Sequence, residues 1–300
     1  MGNPELIAVG LACIDYLVRI DRGKGGRILD FLVQGGGLMG TAAVAAAKLG
    51  ARTAIWTRIG DDRPHSTMVV EGFEEEGVDT RGIYVVAGGK TPFSVVMVDG
   101  RTGEREIYFF PGFFPEDPEI EPSLLEMVDG SKCVLVDGTW PKAAMAAARK
   151  AKDLGIPIVG DINHIGGNED LLGLIDFPII PRGCAEEIAG PGRYRDALKI
   201  LHSFGAKVSA VTLGEDGSLW YDGKEFYHQP SFKVDVVDTT GCGDVFHGAF
   251  AFCLARGWEL EKARRFASAV AAMKARKLGG RTGIPKYDEV MDFLSQAQGP

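Results

Sequence analysis

The chain is 300 residues long, 45% hydrophobic and 25% charged, with a formal net charge of −8. Those values suit one large packed domain carrying a smaller element, and they exclude a disordered chain. The acidic balance excludes nucleic acid or an anionic membrane as the main partner, since either selects a basic face, and leaves a small metabolite.

Short apolar runs at 6–9, 53–59, 133–137, 156–161, 178–180 and 208–213 predict buried parallel strands, and segments 41–49, 65–76, 141–154 and 194–204 predict the helices that cover them. This is an α/β layer fold. Segments 16–34 and 83–110 interrupt the alternation. They hold strand-like pieces such as 16–20, 94–98 and 106–110, with turns at Asp99-Gly100 and Thr102-Gly103, and predict antiparallel strands outside the main sheet. Past Asp244 the chain reads as helices over 245–255, 260–276 and 287–297, interrupted by Gly279-Gly280-Arg281-Thr282-Gly283-Ile284-Pro285. No run of eighteen apolar residues occurs and Met1-Gly2-Asn3-Pro4-Glu5 carries no signal-like core, so a cytoplasmic protein is expected. Cys13, Cys133, Cys184, Cys242 and Cys253 form no paired motif and are expected to be reduced, and the histidines show no metal-ligand spacing.

Two glycine clusters concentrate the chemistry. In Asp238-Thr239-Thr240-Gly241-Cys242-Gly243-Asp244, the glycines let backbone amides converge on an anion, the following helix adds the positive end of its dipole, and Asp244 falls in its first turn. A carboxylate beside bound phosphates suits removal of a proton from an attacking hydroxyl. The bland alternative is a plain turn with Asp244 as a helix cap. Earlier, Gln34-Gly35-Gly36-Gly37-Leu38-Met39-Gly40-Thr41 runs into a small-residue helix, which fits a polyhydroxylated ligand lying on the main chain or a flexible loop. His247, one turn after Asp244, reads as an ordinary helix position within reach of the same region.

Together the clusters resemble the signatures of the ribokinase-like (PfkB) family of carbohydrate kinases, and the likeness covers nearly the whole chain. Gly10-Leu11-Ala12-Cys13-Ile14-Asp15 is similar to the family's first strand end, where the aspartate binds sugar hydroxyls. Arg58-Ile59-Gly60-Asp61-Asp62 resembles a turn of structural role, Asp161-Ile162-Asn163 an Asp-x-Asn near the phosphate path, and Val211-Thr212-Leu213-Gly214-Glu215-Asp216-Gly217 the nucleotide-side strand and turn. The resemblance implies a single three-layer α/β/α domain over 1–300 with a mostly parallel central sheet. It also implies a small β lid from about 16–34 and 83–110, whose Phe93, Phe109, Phe110, Phe113 and Phe114 would support a homodimer. ATP is the implied phosphoryl donor, Mg2+ its counterion, and a monovalent cation such as K+ is implied near the Gly279 loop. By residue, it implies Asp244 as base with Gly241, Cys242 and Gly243 around the transferring phosphoryl group. Asp15, Gly36, Gly37, Thr41 and Asn163 would bind the acceptor, and Thr212, Gly214, Gly217, Thr240 and Gly280 the nucleotide. The expected reaction is transfer of the γ-phosphoryl group of ATP to a primary hydroxyl of a pentose or hexose.

The sequence also departs from that pattern. Thr41 stands where asparagine is usual. Pro181-Arg182-Gly183-Cys184 stands where many members carry Asn-x-x-Glu to organise magnesium, with Glu186 and Glu187 downstream as substitutes or as surface carboxylates, so no metal ligand is assigned. Cys242 replaces alanine, and a thiol at a helix N-terminus is expected to favour the thiolate. Alternatives are a sulfofructose kinase, a nucleoside kinase, or a sugar-binding regulator without catalysis. Residues 228–248 and Gly279-Gly280-Arg281 are similar to sulfofructose kinases, but Thr139 and Trp140 replace the arginine that follows strand 133–137 there. Phe109 offers no charge either, so a neutral ketose or pentose is the expected preference.

Overall fold

All four residues of β1 (Leu6–Val9) are buried, and they alternate: Leu6 and Ala8 join one hydrophobic cluster, Ile7 and Val9 another. A strand apolar on both faces needs a layer on each side, which gives the three-layer α/β/α arrangement. The computed structural model describes residues 2–21, 23, 26–101 and 105–297. In chain order there follow β2 (Cys13–Asp21), β3 (Arg27–Gly36), α1 (Leu38–Lys48), β4 (Thr53–Gly60), α2 (His65–Glu75), β5 (Asp79–Val86), β6 (Phe93–Asp99) and β7 (Arg105–Phe110). Next come α3 (Pro122–Asp129), β8 (Cys133–Asp137), α4 (Pro141–Asp153), β9 (Ile158–Asp161), α5 (Glu169–Leu172), β10 (Phe177–Pro181), α6 (Arg182–Ala189), α7 (Tyr194–His202) and β11 (Ser209–Thr212). The chain ends with β12 (Ser218–Tyr221), β13 (Phe226–Gln229), α8 (Cys242–Ala255), α9 (Leu260–Lys274) and α10 (Tyr287–Gln296).

The main sheet runs β13-β12-β11-β10-β9-β8-β1-β4-β5, parallel except for the β12–β13 hairpin at one edge. Leu135, Val159, Ile179 and Ala210 face the cluster built with α1, α8 and α9, while Val134, Val136, Ile158 and Ile180 face α3, α4 and α7. The hairpin turns at Asp222-Gly223, where Gly223 has φ 91°. β5 corrects the expectation that the lid begins at residue 83: it pairs in parallel with β4 at the far edge of the main sheet. Gly82 makes this possible, because a Cβ there would lie 2.2 Å from Cδ1 of Trp56.

The lid is the separate sheet β3-β2-β6-β7. Residues directly opposite one another share a face. The register therefore sets Gln34, Asp15, Ser94 and Phe109 in one row, followed on the same face by Leu32, Leu17, Val96 and Ile107. Leu17, Val96 and Val98 are buried there with Leu32 packed on them. The opposite face carries Val33, Tyr16, Val95 and Tyr108 and then Phe31, Val18 and Met97. The expected Thr102-Gly103 turn lies outside the described residues.

Candidate active site

The carboxyl ends of β1, β8 and β9 converge on a set of aspartates. Asp137 and Asp161 lie opposite each other where β8 and β9 end. Asp137 is fully buried and accepts hydrogen bonds from Leu11 N at 2.9 Å, Thr139 N at 2.8 Å and Thr139 Oγ1 at 2.5 Å. Burial, with Asp161 adding repulsion, still pushes Asp137 up to about 6 against the pull of those bonds. Asp161 is likewise raised by burial, and the neighbouring His247 relieves it. Sequence reading took Asp137 only as a strand end, although a carboxylate closing a buried parallel strand was a signal on the page.

On the acceptor side, Asp15 is buried at the base of the lid strand β2 and accepts from Ser94 Oγ at 2.6 Å and Cys13 Sγ at 3.3 Å. A Cβ on Gly36 would lie 2.1 Å from Oδ2 of Asp15, and one on Gly37, at φ 86°, would lie 2.5 Å from Leu11 O. The glycines are thus required by close approach, and the segment is the end of β3 and the cap of α1 rather than a flexible loop. Gln34, in Asp15's row, has a buried Nε2 with no hydrogen-bond partner among the described residues. Such a donor awaits a ligand or an ordered water. Thr41 is buried, its Cγ2 3.4 Å from where Gly241 would carry a Cβ, so it joins the two glycine turns.

The second turn is braced from below. Gly241 caps α8 in the left-handed region at φ 72°. Asp238 accepts from Thr240 N at 2.8 Å, Thr240 Oγ1 at 2.7 Å and Gly279 N at 2.8 Å. Burial alone would raise Asp238, but those bonds and the Lys274 ammonium hold it below the usual carboxylate range. Beyond its own helix backbone and chain neighbours, no described residue comes within 4 Å of where Gly243 would carry a Cβ, so that side of the turn is open to a ligand. The Cys242 thiol donates to Ala271 O at 3.6 Å, which turns it toward α9 and leaves its backbone as its contribution to the cradle.

Asp244, half-buried in the first turn of α8, is pushed well above the ordinary carboxylate range by burial and by repulsion from Asp161, Asp15 and Asp137, with Lys274 opposing. His247 is buried, with Nδ1 2.7 Å from Gly243 O and 3.5 Å from Asp161 Oδ2, and Nε2 3.1 Å from Ile179 O. It braces the turn and the neighbouring aspartate together. The two turns meet because Gly248 admits α1: a Cβ there would lie 2.2 Å from Ala42 O.

The loop after α9 ties the turns from the other side. Arg281 is buried, donates to Gly36 O at 2.9 Å and stacks 4.9 Å from the Phe73 ring centre, and burial pulls it down to about 10. Gly280 Cα is 3.1 Å from a Gly241 Cβ position, and Asp15 Oδ2 is 4.0 Å from a Gly280 Cβ position. Gly280 therefore sits between the acceptor aspartate and the anion turn. Thr212, Gly214 and Gly217 form a separate turn after β11, two strands beyond β9. Arg182 holds it, donating to Leu213 O at 2.6 Å and Asp216 Oδ2 at 2.7 Å. Glu186 accepts from Tyr194 OH at 2.9 Å and Glu187 pairs with His164 at 3.0 Å, so both are engaged on α6. Asn163 lies just past β9 and is half-buried.

A cavity of about 490 Å3 opens between the main sheet and the lid, lined among others by Gly10, Leu11, Arg58, Phe109, Thr139 and Trp140. Arg58, read from the sequence as structural, contributes to this wall, where it donates to Asp117 at 2.9 Å and lies 4.6 Å from the Phe114 ring centre. Among the described residues no group of three or more His, Cys, Asp or Glu forms a metal cage, and no helix is long and apolar enough to cross a membrane.

This geometry joins a carboxylate in an anion-binding turn to a second carboxylate at the base of a lid strand. The sequence matches the pfkB family carbohydrate kinase profile over residues 3–287. The chain belongs to the pfkB family of carbohydrate kinases. It is therefore an ATP-dependent phosphotransferase. It is 30% identical to a ribokinase of Haemophilus influenzae, over 89% of this chain and 90% of that one, and 28% identical to an aminoimidazole riboside kinase of Salmonella typhimurium, over 87% and 88%. The structure of the Arabidopsis thaliana ribokinase complexed with ribose and ATP superposes with a TM-score of 0.87 at 28% identity, covering 99% of this chain and all of that one.

Proposed function

We propose that this pfkB-family kinase transfers the γ-phosphoryl group of ATP to a primary hydroxyl of a pentose or hexose, with Asp244 as the base. The observation that carries the reading is Asp244 itself: a carboxylate raised toward neutrality, one residue past an open glycine turn and close enough to Asp15 to feel its charge. A base with a raised pKa takes a proton more readily from a sugar hydroxyl than an ordinary carboxylate does. The amides of Gly241 to Gly243 and the α8 dipole would hold the transferring group's charge. Asp15, the Gly36-Gly37 backbone and the Gln34 Nε2, which has no partner among the described residues, would orient the sugar hydroxyls, with Thr41 and Asn163 at the margins.

Thr212, Gly214 and Gly217 would border the nucleotide, an assignment supported by their positive-φ turn at the carboxyl edge of the sheet. Magnesium, when bound with the phosphates, neutralises their charge. The lack of a protein cage among the described residues is compatible with an ion held mainly by phosphate oxygens and water, with Asp244 in the first turn of α8 as the carboxylate on the open side of the cradle. The monovalent cation expected near the Gly279 loop has a competitor on this chain, the ammonium of Lys274. A homodimer through the lid is favoured by its outer face, where Phe31 is 68% and Tyr108 56% exposed. A cytoplasmic setting agrees with five free cysteines.

The test is an ATP-consumption assay across ribose, fructose, other neutral sugars and nucleosides, run beside the Asp244→Asn protein. Turnover with a free sugar that this substitution removes supports the reading. Turnover with nucleosides alone would replace the acceptor class, and turnover untouched by the substitution would remove Asp244 from its role.

A further inference from the structure

Lysine is among the residues least often fully buried, yet Lys274, the last residue of α9, has no exposed surface at all. Its ammonium donates to Asp238 O at 3.0 Å and also to Thr240 O. Those carbonyls bracket Thr239, and the second belongs to the residue immediately before Gly241. The same stretch hangs from the end of α9, where Val237 N and Asp238 N both donate to Ala275 O, at 2.8 and 3.1 Å. The loop closes over it, since a Cβ on Gly283 would lie 2.4 Å from Lys274 O. One positive charge thus sits inside the fold among backbone carbonyls, beside the Asp238 carboxylate, at the base of the anion cradle.

The family resemblance implies a monovalent cation close to this loop. It does not fit at these carbonyls, because the lysine already holds them. A potassium ion and an ammonium carry the same charge and are both satisfied by carbonyl oxygens. Adding a second cation beside the first would leave two like charges buried together.

We propose that the Lys274 ammonium is a built-in monovalent cation, fixing the Asp238–Thr240 turn so that the amides of Gly241 to Gly243 point at the phosphoryl group, and that turnover therefore needs no potassium. Lys274 acts through the turn and is a positioning residue. The inference rests on the phosphoryl-transfer reading above and separates from it experimentally.

Sugar phosphorylation by the wild-type protein is measured in potassium-free buffer with tetramethylammonium as counterion, and again with added potassium, ammonium or sodium. Rates equal within about 1.5-fold are expected. A rise of more than about threefold with potassium overturns the proposal while leaving the kinase reading intact, whereas no turnover on any sugar strikes at the kinase reading instead. Lys274→Ala supplies the second arm. In potassium-free buffer its kcat should fall by about 10- to 100-fold, with the sugar KM changed less than about threefold, as expected for a misaimed cradle. Potassium or ammonium should restore at least about tenfold of that loss, and sodium should not. Full activity of this variant without potassium, or a loss that neither ion repairs, overturns the proposal. If the variant does not fold, the wild-type cation profile decides.

Discussion

The anion turn and the lid sit over the same site but are held in opposite ways. Around the turn, Lys274 is 0% exposed, His247 2%, Asp238 7% and Arg281 7%, and each is tied to backbone of another segment. On the lid, Phe31 and Tyr108 on the outer face are 68% and 56% exposed and Phe109 on the inner face 48%, and that inner face buries only a small cluster of Leu17, Val96 and Val98. Cross-tied charges fix direction to within a fraction of an ångström, which phosphoryl transfer needs. A thin sheet with apolar side chains adapts to its ligand or to a second subunit. The comparison assigns turnover to the turn and selectivity to the lid, and substitutions in each should separate kcat from KM.

The largest effect is expected at the base. Asp244→Asn keeps shape and removes proton acceptance, so kcat should fall by roughly 10²- to 10⁴-fold with little change in ATP affinity. Because the carboxylate is held against Asp161, Asp15 and Asp137, the same substitution should stabilise the fold, with Tm rising by about 2–3 °C at pH 8. The sign follows from the raised pKa: the folded protein binds the Asp244 proton more tightly than the unfolded chain. The penalty therefore grows as pH rises from the ordinary carboxylate value toward the raised one and is full above it, so the Tm gain should shrink as pH falls toward 5. Calorimetry at both pH values reads this directly. A Tm that drops at pH 8 would mean Asp244 is held by attraction, contrary to the site described.

A step down is the contact that joins the two glycine turns. In Gly248→Ala the new methyl meets Ala42 O at 2.2 Å, so α1 and α8 must separate. Overpacking of this kind costs about 1–3 kcal/mol, and the displaced cradle should lose roughly tenfold or more in kcat. Denaturant melts and steady-state kinetics test both; unchanged kcat would show that the helix crossing does not set the cradle. On the lid, Phe109→Ala removes part of the cavity wall and should raise the acceptor KM by about 3- to 10-fold with kcat within about twofold. Loss confined to kcat would place Phe109 with the turn instead.

Much of the turn was legible because its requirements are local. Gly241 at φ 72° and Gly37 at φ 86° are positions where only glycine is comfortable, and Asp244 follows at fixed spacing. The parallel core was legible from apolar runs. What stayed hidden depends on distant partners: nothing local marks Lys274 as reaching Asp238 O, Arg281 as reaching Gly36 O, or Gln34 as an unpaired donor. β5 was misassigned because its strand pattern continues toward the lid, and only the fit of Gly82 against Trp56 decides which sheet it joins. The direction of the Cys242 thiol was likewise hidden, because its partner, Ala271 O, belongs to another helix.

The smallest effect concerns charge on the acceptor. Sequence reading found no arginine after strand 133–137 to meet a sulfonate and left Lys90 or Arg101 to reach in from the lid, but the cavity wall itself contains Arg58, so the expected preference for a neutral sugar needs a different basis. That basis is Asp117, which takes the Arg58 guanidinium at 2.9 Å and also accepts from Trp140 Nε1 at 2.9 Å. A sulfonate approaching Arg58 meets a charge already paired and a carboxylate that repels it, whereas a neutral hydroxyl meets neither penalty. Ribose or fructose is therefore expected to exceed sulfofructose in kcat/KM by about tenfold, the factor that 1.4 kcal/mol sets. Asp117→Asn removes the repulsion and frees part of the guanidinium while keeping an acceptor for the indole. It should narrow that ratio by about threefold, with the neutral-sugar rate held within about twofold. Competition kinetics with both sugars in one vessel resolve a change of this size. A wild-type preference for sulfofructose would show that Arg58 exchanges Asp117 for the ligand, and would move charge recognition from the turn to the lid-side wall.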